Sequence, residues 1–378
     1  MHYLDNAATT PVREDAARAA YETMVNGWGN PSARYTLGAE MTAKVKGWRQ
    51  DVAKALGCGE DELIFTSCGT ESDNWAIRAS VEINRRKGKH IITTAIEHSA
   101  VIEPCKALEK QGYEVTYLQP DRQGNITVEQ VAEALREDTV LVSMMLVNNE
   151  TGTILPVAEV GKLLKRKKSA ALLHCDAVQG FLKVDFTPAK LGVDFLALSA
   201  HKIHAPKGIG AMYVRKGIKL PPMILGGGQE SGLRSGTEAT AQMVAFAVAA
   251  REGKAHLKEH LEHMAQINSY ARAELTEKVP GLQLLTEGGA PHILPVSLVG
   301  YKSEVVVRFL SDRGVYISSG SACHKGKPSH VYAALKLTKP VQDGVLRISF
   351  SYDTNREDVD ALVTALQAAQ RELFTSLS

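Results

Sequence analysis

Between residues 63 and 199 the chain alternates two kinds of segment, and that alternation leaves few folds open to it. Short runs rich in β-branched and aromatic residues read as strands at Leu63–Thr66, His90–Thr94, Glu114–Leu118, Val140–Val147, Ala171–Cys175 and Phe195–Ser199. Apolar residues at helical spacing fill most of the intervals, at Glu71–Arg86, Ser99–Gln111, Val128–Arg136 and Val157–Lys167. A helix between two strands carries the chain back to begin the next strand in the same direction. The expected core is therefore a mostly parallel central sheet with helices on both faces, an α/β fold. Ligands of such sheets bind at the carboxyl ends of the strands.

The flanks read differently. Pro11–Asn26 has the pattern of a helix, with proline in its first turn and Gly27 just past its end. Leu37, Met41, Val45, Trp48, Val52 and Leu56 recur at helical spacing up to Gly57. From about Thr240 the alternation stops. Val244 to Leu275 reads as one long helix, and strands and helices then mix at Ile293–Val299, Val305–Asp312, Val345–Phe350 and Arg356–Leu373. The organisation expected is a large domain over residues 12–257 and a smaller α+β domain built from residues 1–11 and 258–378.

A chain of 378 residues, 44% of them hydrophobic, can bury cores of that size. Its 44 basic and 42 acidic residues nearly cancel, which argues against nucleic acid or an anionic membrane surface as the main partner. The apolar run Met243–Ala250 is too short to span a bilayer, and Asp5 falls where a secretory leader would be apolar. Cys58, Cys68, Cys105, Cys175 and Cys323 contain no C-x-x-C pair. Neither a disulfide framework nor a cysteine-rich zinc site is expected, and the cytoplasm is the default compartment.

The residues able to do chemistry cluster just after the strands: Ser67–Thr70, His98, Asn149, Asp176 and Lys202. Two successive strands that end near an acid and a lysine give the layout that pyridoxal phosphate requires. The lysine holds the aldehyde as a Schiff base, and the carboxylate keeps the ring nitrogen protonated. Small neighbours (Ser199, Ala200) and two histidines (His201, His204) set Lys202 apart from an ordinary surface lysine. Gln179 can donate to the ring's phenolic oxygen, and His98 can stack on the ring and carry a proton near neutral pH. In Phe65-Thr66-Ser67-Cys68-Gly69-Thr70-Glu71-Ser72 a strand runs through a small-residue turn into a helix start. Amides there bind phosphate well and the Thr70 hydroxyl adds a donor, although an ordinary capped helix would read the same way. The glycine-rich run from Gly226 to Thr237 lacks the Gly-Lys-Ser/Thr ending of a nucleotide-binding loop. Cys323 follows Ser318-Ser319-Gly320-Ser321-Ala322, residues suited to an exposed loop, and precedes His324, Lys325 and Lys327, whose charges favour a thiolate.

Together these segments resemble the NifS/IscS-type cysteine desulfurases, in the class V branch of fold-type I pyridoxal phosphate enzymes. The similarity begins at Tyr3-Leu4-Asp5-Asn6-Ala7-Ala8-Thr9-Thr10-Pro11 and includes Gly29-Asn30-Pro31-Ser32, Thr70-Glu71-Ser72-Asp73-Asn74, Glu97-His98 and Asn148-Asn149-Glu150-Thr151-Gly152. It continues through His174 to Gln179, Ser199 to Lys202, Arg234 to Thr237 and Ser318 to Cys323, and closes at Leu346-Arg347-Ile348-Ser349. The resemblance implies a homodimer that converts L-cysteine to L-alanine. Sulfur would move to Cys323 as a persulfide and then to an acceptor protein serving iron–sulfur cluster assembly, a thio-cofactor or tRNA thiolation. It further implies that Lys202 holds the cofactor and removes the substrate's α-proton. Asp176 would pair with the ring nitrogen, Gln179 with the phenolic oxygen and His98 with the ring face. Gly69, Thr70, Ser199 and His201 would hold the phosphate, joined by Thr237 of the partner subunit. Asn149 and Arg347 would take the substrate carboxylate, a bidentate task suited to arginine. No metal is implied. Ala205 stands where the family usually has glycine, and Cys68 where it often does. The stretch after Cys323 is shorter than in IscS-like members, which limits its reach. A selenocysteine lyase or another class V enzyme is the alternative, and Cys323 is the residue that discriminates.

Overall fold

A computed structural model describes residues 1–319 and 329–375 of the protein. The chain opens on a short strand, β1 (His2–Tyr3), and two helices, Glu14–Asn26 and Thr36–Leu56. The second helix stops at Gly57, whose positive φ of 82° suits glycine and lets its amide cap Ala53 and Lys54. Seven strands then build the main sheet: β2 (Leu63–Thr66), β3 (His90–Thr94), β4 (Glu114–Leu118), β5 (Thr139–Ser143), β6 (Leu172–Asp176), β7 (Phe195–Ser199) and β8 (Gly210–Val214). Their order is β2-β8-β7-β6-β5-β3-β4, with β8 alone antiparallel to its neighbours.

Successive residues of these strands go to opposite faces, as the period of two demands. Ile64, Ile91, Leu141 and Phe195 face the helices Gly69–Ile83 and Ser99–Glu109, through Trp75, Ile77, Val101 and Leu108. Phe65, Ile92, Val142 and Leu196 face a second layer that includes Met41, Val160, Leu163, Met243 and Phe246. The mostly parallel sheet with helices on both faces is thus as the alternation predicts. Strand β8 escapes the sequence reading because it begins in Gly208-Ile209-Gly210, which looks like loop. Gly210 is required there: a Cβ would stand 2.6 Å from the Leu198 carbonyl oxygen and 2.8 Å from the Cys68 carbonyl carbon.

Beyond the main sheet lie β9 (Leu282–Leu284), β10 (Ile293–Leu298), β11 (Val315–Tyr316), β12 (Ser318–Ser319) and β13 (Val345–Ser349). Strand β11 pairs with β1, and the other four form an antiparallel sheet in the order β12-β13-β10-β9. Leu294, Val296, Leu346 and Ile348 pack with Ile267, Val306, Leu310, Val359 and Leu366 of three helices, and Leu4 joins this second core. The long helix expected over Val244–Leu275 is two helices, Thr240–Ala255 and Leu257–Lys278, which meet at the non-helical His256 (φ −107°, ψ 15°). The break follows from two separate burial targets. Met243 and Phe246 belong to the main core, whereas Ile267, Ala271 and Leu275 belong to the second. Among the described residues no helix is long and apolar enough to cross a membrane.

Candidate active site

Strands β6 and β7 are parallel neighbours, so Asp176 and Ser199 emerge at the same edge of the main sheet. Strand β2 ends at Thr66, and the turn Ser67–Cys68 leads into the helix Gly69–Ile83. The first residue of that helix sits hard against the other two strand ends. A Cβ on Gly69 would lie 2.6 Å from Val178 Cγ2 and 3.5 Å from Ser199 Cβ. Helix amides, Asp176 and the chain after β7 therefore share one corner.

Lys202 ends the short turn Ala200–Lys202. Its Nζ donates to the carbonyl oxygens of Ala7 (2.6 Å) and Ala8 (2.8 Å). Gln179 Nε2 donates to the same Ala7 oxygen at 2.8 Å. His201 Nδ1 meets Thr9 Oγ1 at 3.1 Å, and the Thr10 hydroxyl donates to the His201 carbonyl at 3.0 Å. Residues 7–10 thus lie across the site as a strap. Arg347, on β13, reaches the same place from the second sheet. Its Nη1 donates to the Asn149 main-chain oxygen (3.0 Å) and its Nη2 to Asp5 Oδ1 (2.8 Å), while its buried Nε has no partner among the described residues.

Burial sets most of the electrostatics. It pushes the Asp176 carboxyl up, while His98, the Val178 amide (2.9 Å) and Lys202 pull it back down. Burial, helped by Lys202, Lys207 and Lys183, lowers His201 to about 4, so its ring is neutral near pH 7. His98 caps the helix Ser99–Glu109, and its Nδ1 accepts from the Ala100 amide at 3.1 Å. A neutral ring held in this way carries its proton on Nε2. Beneath it Glu97 is fully buried and pushed up to about 8 by desolvation. Its oxygens accept from the Met145 amide (3.0 and 3.1 Å) and the Thr94 hydroxyl (2.9 Å).

These residues fit pyridoxal phosphate. Asp176 uses one oxygen for the Val178 amide, and its other has no hydrogen-bond partner among the described residues, as a pyridinium acceptor needs. The contact of Gly69 with Val178 leaves no room for a side chain beside the helix amides that would take a phosphate. Lys202 is near enough to Asp176 to lower its carboxyl.

The structure brings Lys202, Asp176, Gln179, His98, Gly69, Ser199, His201 and Arg347 together. Thr70, in the first turn of the same helix, is exposed. Asn149 enters through its main-chain oxygen. Thr237 is exposed and makes no side-chain hydrogen bond to the group within one chain. Cys323, with His324, Lys325 and Lys327, lies outside the described residues. Just before that stretch Ser318 of β12 pairs with Arg347, and just after it the Ser329 hydroxyl donates to Glu150 Oε1 at 2.8 Å. Sequence reasoning gave Asp5 no role in the site, only an argument against a leader. The carbonyls of Ala7 and Ala8 carry no side-chain signal at all.

Residues 2–362 match the aminotransferase class-V family. The cysteine desulfurase IscS of Dictyoglomus turgidum is 37% identical over 377 residues, covering 99% of this chain and 95% of its own. A cysteine desulfurase of Nostoc sp. is 39% identical over 370 residues, covering 96% and 91%. Among solved structures, a NifS-like protein superposes with a TM-score of 0.93 at 36% identity, over 98% of this chain and 99% of that one. SspA in complex with cysteine does so with a TM-score of 0.81 at 34% identity, over 93% and 99%. The main sheet, with a lysine and an aspartate at adjacent strand ends, defines an enzyme of class-V aminotransferase type, and the chain belongs to that family. Within it, the chain falls among the cysteine desulfurases.

Proposed function

We propose that the protein binds pyridoxal phosphate, takes L-cysteine as substrate, releases L-alanine and carries the sulfur on Cys323 before passing it to an acceptor protein. The observation that carries this reading is that Lys202 and Gln179 are held on the strap of residues 7–10, with Asp176 near enough to Lys202 to be lowered by it and Arg347 bonded to Asp5 just ahead of the strap. A relative solved with cysteine bound supports the substrate. Lys202, Asp176, Gln179 and His98 would hold the ring, and Gly69, Thr70, Ser199 and His201 the phosphate, with Thr237 of the partner subunit. Bound there, the cofactor would supply an electron sink for the substrate's α-carbon.

The chain's own residues do the rest. Arg347 binds the substrate carboxylate through its unfilled Nε, beside the Asn149 carbonyl that fixes its plane. This holds the α-proton toward Lys202, whose amine takes it as general base. The Cys323 thiolate attacks the substrate's sulfur. A sulfur–sulfur bond forms, the carbon–sulfur bond breaks, and the carbon side takes up a proton to give alanine.

A homodimer is part of the same reading. Tyr21, Met24, Trp28 and Tyr35 are exposed, as are Ile224 and Leu225. Gln229 Nε2 donates to Ser32 Oγ at 3.2 Å, so the two stretches adjoin. Exposed apolar area of this kind marks an interface. Incubation with L-cysteine, alanine assay and mass mapping test the proposal. Wild type should gain one sulfur on the Cys323 peptide, and Cys323→Ala should lose alanine release by about 10²-fold or more. Full alanine production by Cys323→Ala refutes the sulfur step.

A further inference from the structure

The net charge of +2 over the whole chain hides an uneven distribution. Cations gather where the chain enters the main sheet, at the edge opposite Asp176 and His98. The loop after the helix Gly69–Ile83 carries Arg85, Arg86, Lys87 and Lys89 and leads into β3. The helix Val157–Arg166 ends on Lys165 and Arg166, and Lys167 and Lys168 follow on the way to β6. All of these side chains are exposed, and none is in an ion pair among the described residues.

Strands β6, β5 and β3 are parallel neighbours, so the loops that enter them share one edge. Strand spacing puts β3 and β6 about 10 Å apart across β5. The buried Asn84 ties the two basic stretches together. Its Nδ2 donates to the Val140 oxygen of β5 at 3.0 Å and to the Ala170 oxygen just before β6 at 2.8 Å. Glu137 and Asp138 are the acids of these loops, and Arg136 already takes Asp138 at 2.8 Å.

A helix end favours cations in its last turn, which accounts for Lys165 and Arg166. The helix Gly69–Ile83 has no base in its last turn, and the cations after it lie beyond its end. Like charges crowded in this way repel one another, and a polyanion relieves the repulsion. A protein partner calls for an apolar centre to the patch, and among the described residues Ile83, at 37%, is the one exposed large apolar side chain beside these stretches. Single-stranded bases call for exposed aromatic rings, and Tyr113 is half-buried with Lys89 Nζ 5.8 Å from its centre. A regular row of phosphates calls for neither.

We infer that this edge of the main sheet is a docking surface for the phosphate backbone of a double-stranded nucleic acid, held by charge and without regard to sequence. It lies at the strand starts, whereas the site residues follow the strand ends, so an occupied edge leaves the site open. This depends on neither the substrate nor the cofactor.

The probe is a fluorescein-labelled DNA duplex of mixed sequence, about 20 base pairs long, titrated with holoenzyme by fluorescence anisotropy. Binding should weaken by about 10²-fold or more between about 50 and about 200 mM KCl. Two variants, Arg85→Gln/Arg86→Gln/Lys87→Gln/Lys89→Gln and Lys165→Gln/Arg166→Gln/Lys167→Gln/Lys168→Gln, should each bind about 10-fold more weakly and with a shallower salt dependence. In wild type, bound duplex should shield Lys87, Lys89, Lys165 and Lys167 from amine acetylation, a readout that needs no variant. A loss of the same size on neutralising Lys258, Arg308, Lys336 and Arg371, exposed cations elsewhere, would reduce the effect to bulk charge and overturn the inference. So would unshielded lysines, or no binding at the lower salt. Tighter binding to polyglutamate or to phosphatidylserine vesicles than to the duplex also overturns it, and assigns the edge to an acidic protein or a membrane surface.

Discussion

Glu97 is a carboxylic acid that the fold keeps protonated. Desolvation outweighs the two donors it meets, so its folded-state value is about 8 against an ordinary 4.5. Between those values the native protein holds a proton that the unfolded chain releases. The native state binds more protons there, so stability falls as pH rises through the window and levels off above it. Glu97→Gln has no proton to lose. Its urea midpoint should decline less steeply across that window than wild type's, and an identical slope would show that Glu97 is ionised in the fold. The residue also matters for placement: its main-chain oxygen accepts from His330 Nε2 at 2.8 Å, while its neighbour His98 faces Asp176. Lys202 and Asp176 are legible in the sequence because a strand's end can be read from its apolar run. The burial of Lys183 is not, since what covers it comes from remote segments: Leu182 beside it, at φ 57°, fills the space over Gly253 in a helix some seventy positions away.

At the scale of elements, two glycines give opposite expectations. Gly210 lets β8 lie against both β7 and the turn before the helix Gly69–Ile83. Gly210→Ala forces Leu198 or Cys68 to move, which costs about 1–3 kcal/mol. Because Cys68 precedes the amides proposed to hold the phosphate, the variant should also retain cofactor less well on dialysis. Gly47 lies inside the helix Thr36–Leu56 with open space where a Cβ would stand. Gly47→Ala should stabilise by about 0.5–1 kcal/mol with cofactor retention unchanged. Chemical denaturation of both variants checks the pair, and equal shifts would contradict the packing. The parallel strands and their helices were readable because each has a period of its own. Strand β8 and the break at His256 were not, because one depends on tolerating a close contact and the other on which core each half of a helix finds.

At the scale of the molecule, the stretch carrying Ile224 and Leu225 is fastened to the large sheet by Arg49. Its guanidinium meets Glu230 at 2.6 and 2.7 Å, and Glu230 also accepts from the Phe65 amide at 3.0 Å. The proposed dimer interface is therefore rigid, and a single charge inside it should be decisive. Leu225→Asp should sediment as a monomer where wild type sediments at twice the chain mass. With the proposed role of Thr237 of the partner subunit, it should also bind cofactor more weakly; a dimeric, fully loaded variant would exclude the interface. The bond from Asp5 to Arg347 closes a loop of 342 positions, the longest reach in the site. During synthesis residues 7–10 can find Gln179, His201 and Lys202 midway, whereas Asp5 waits for Arg347 until almost all of the rest has left the ribosome. With Arg347 as the proposed anchor for an amino acid's carboxylate, a nascent chain can shape a pocket for its cofactor well before it can hold a substrate.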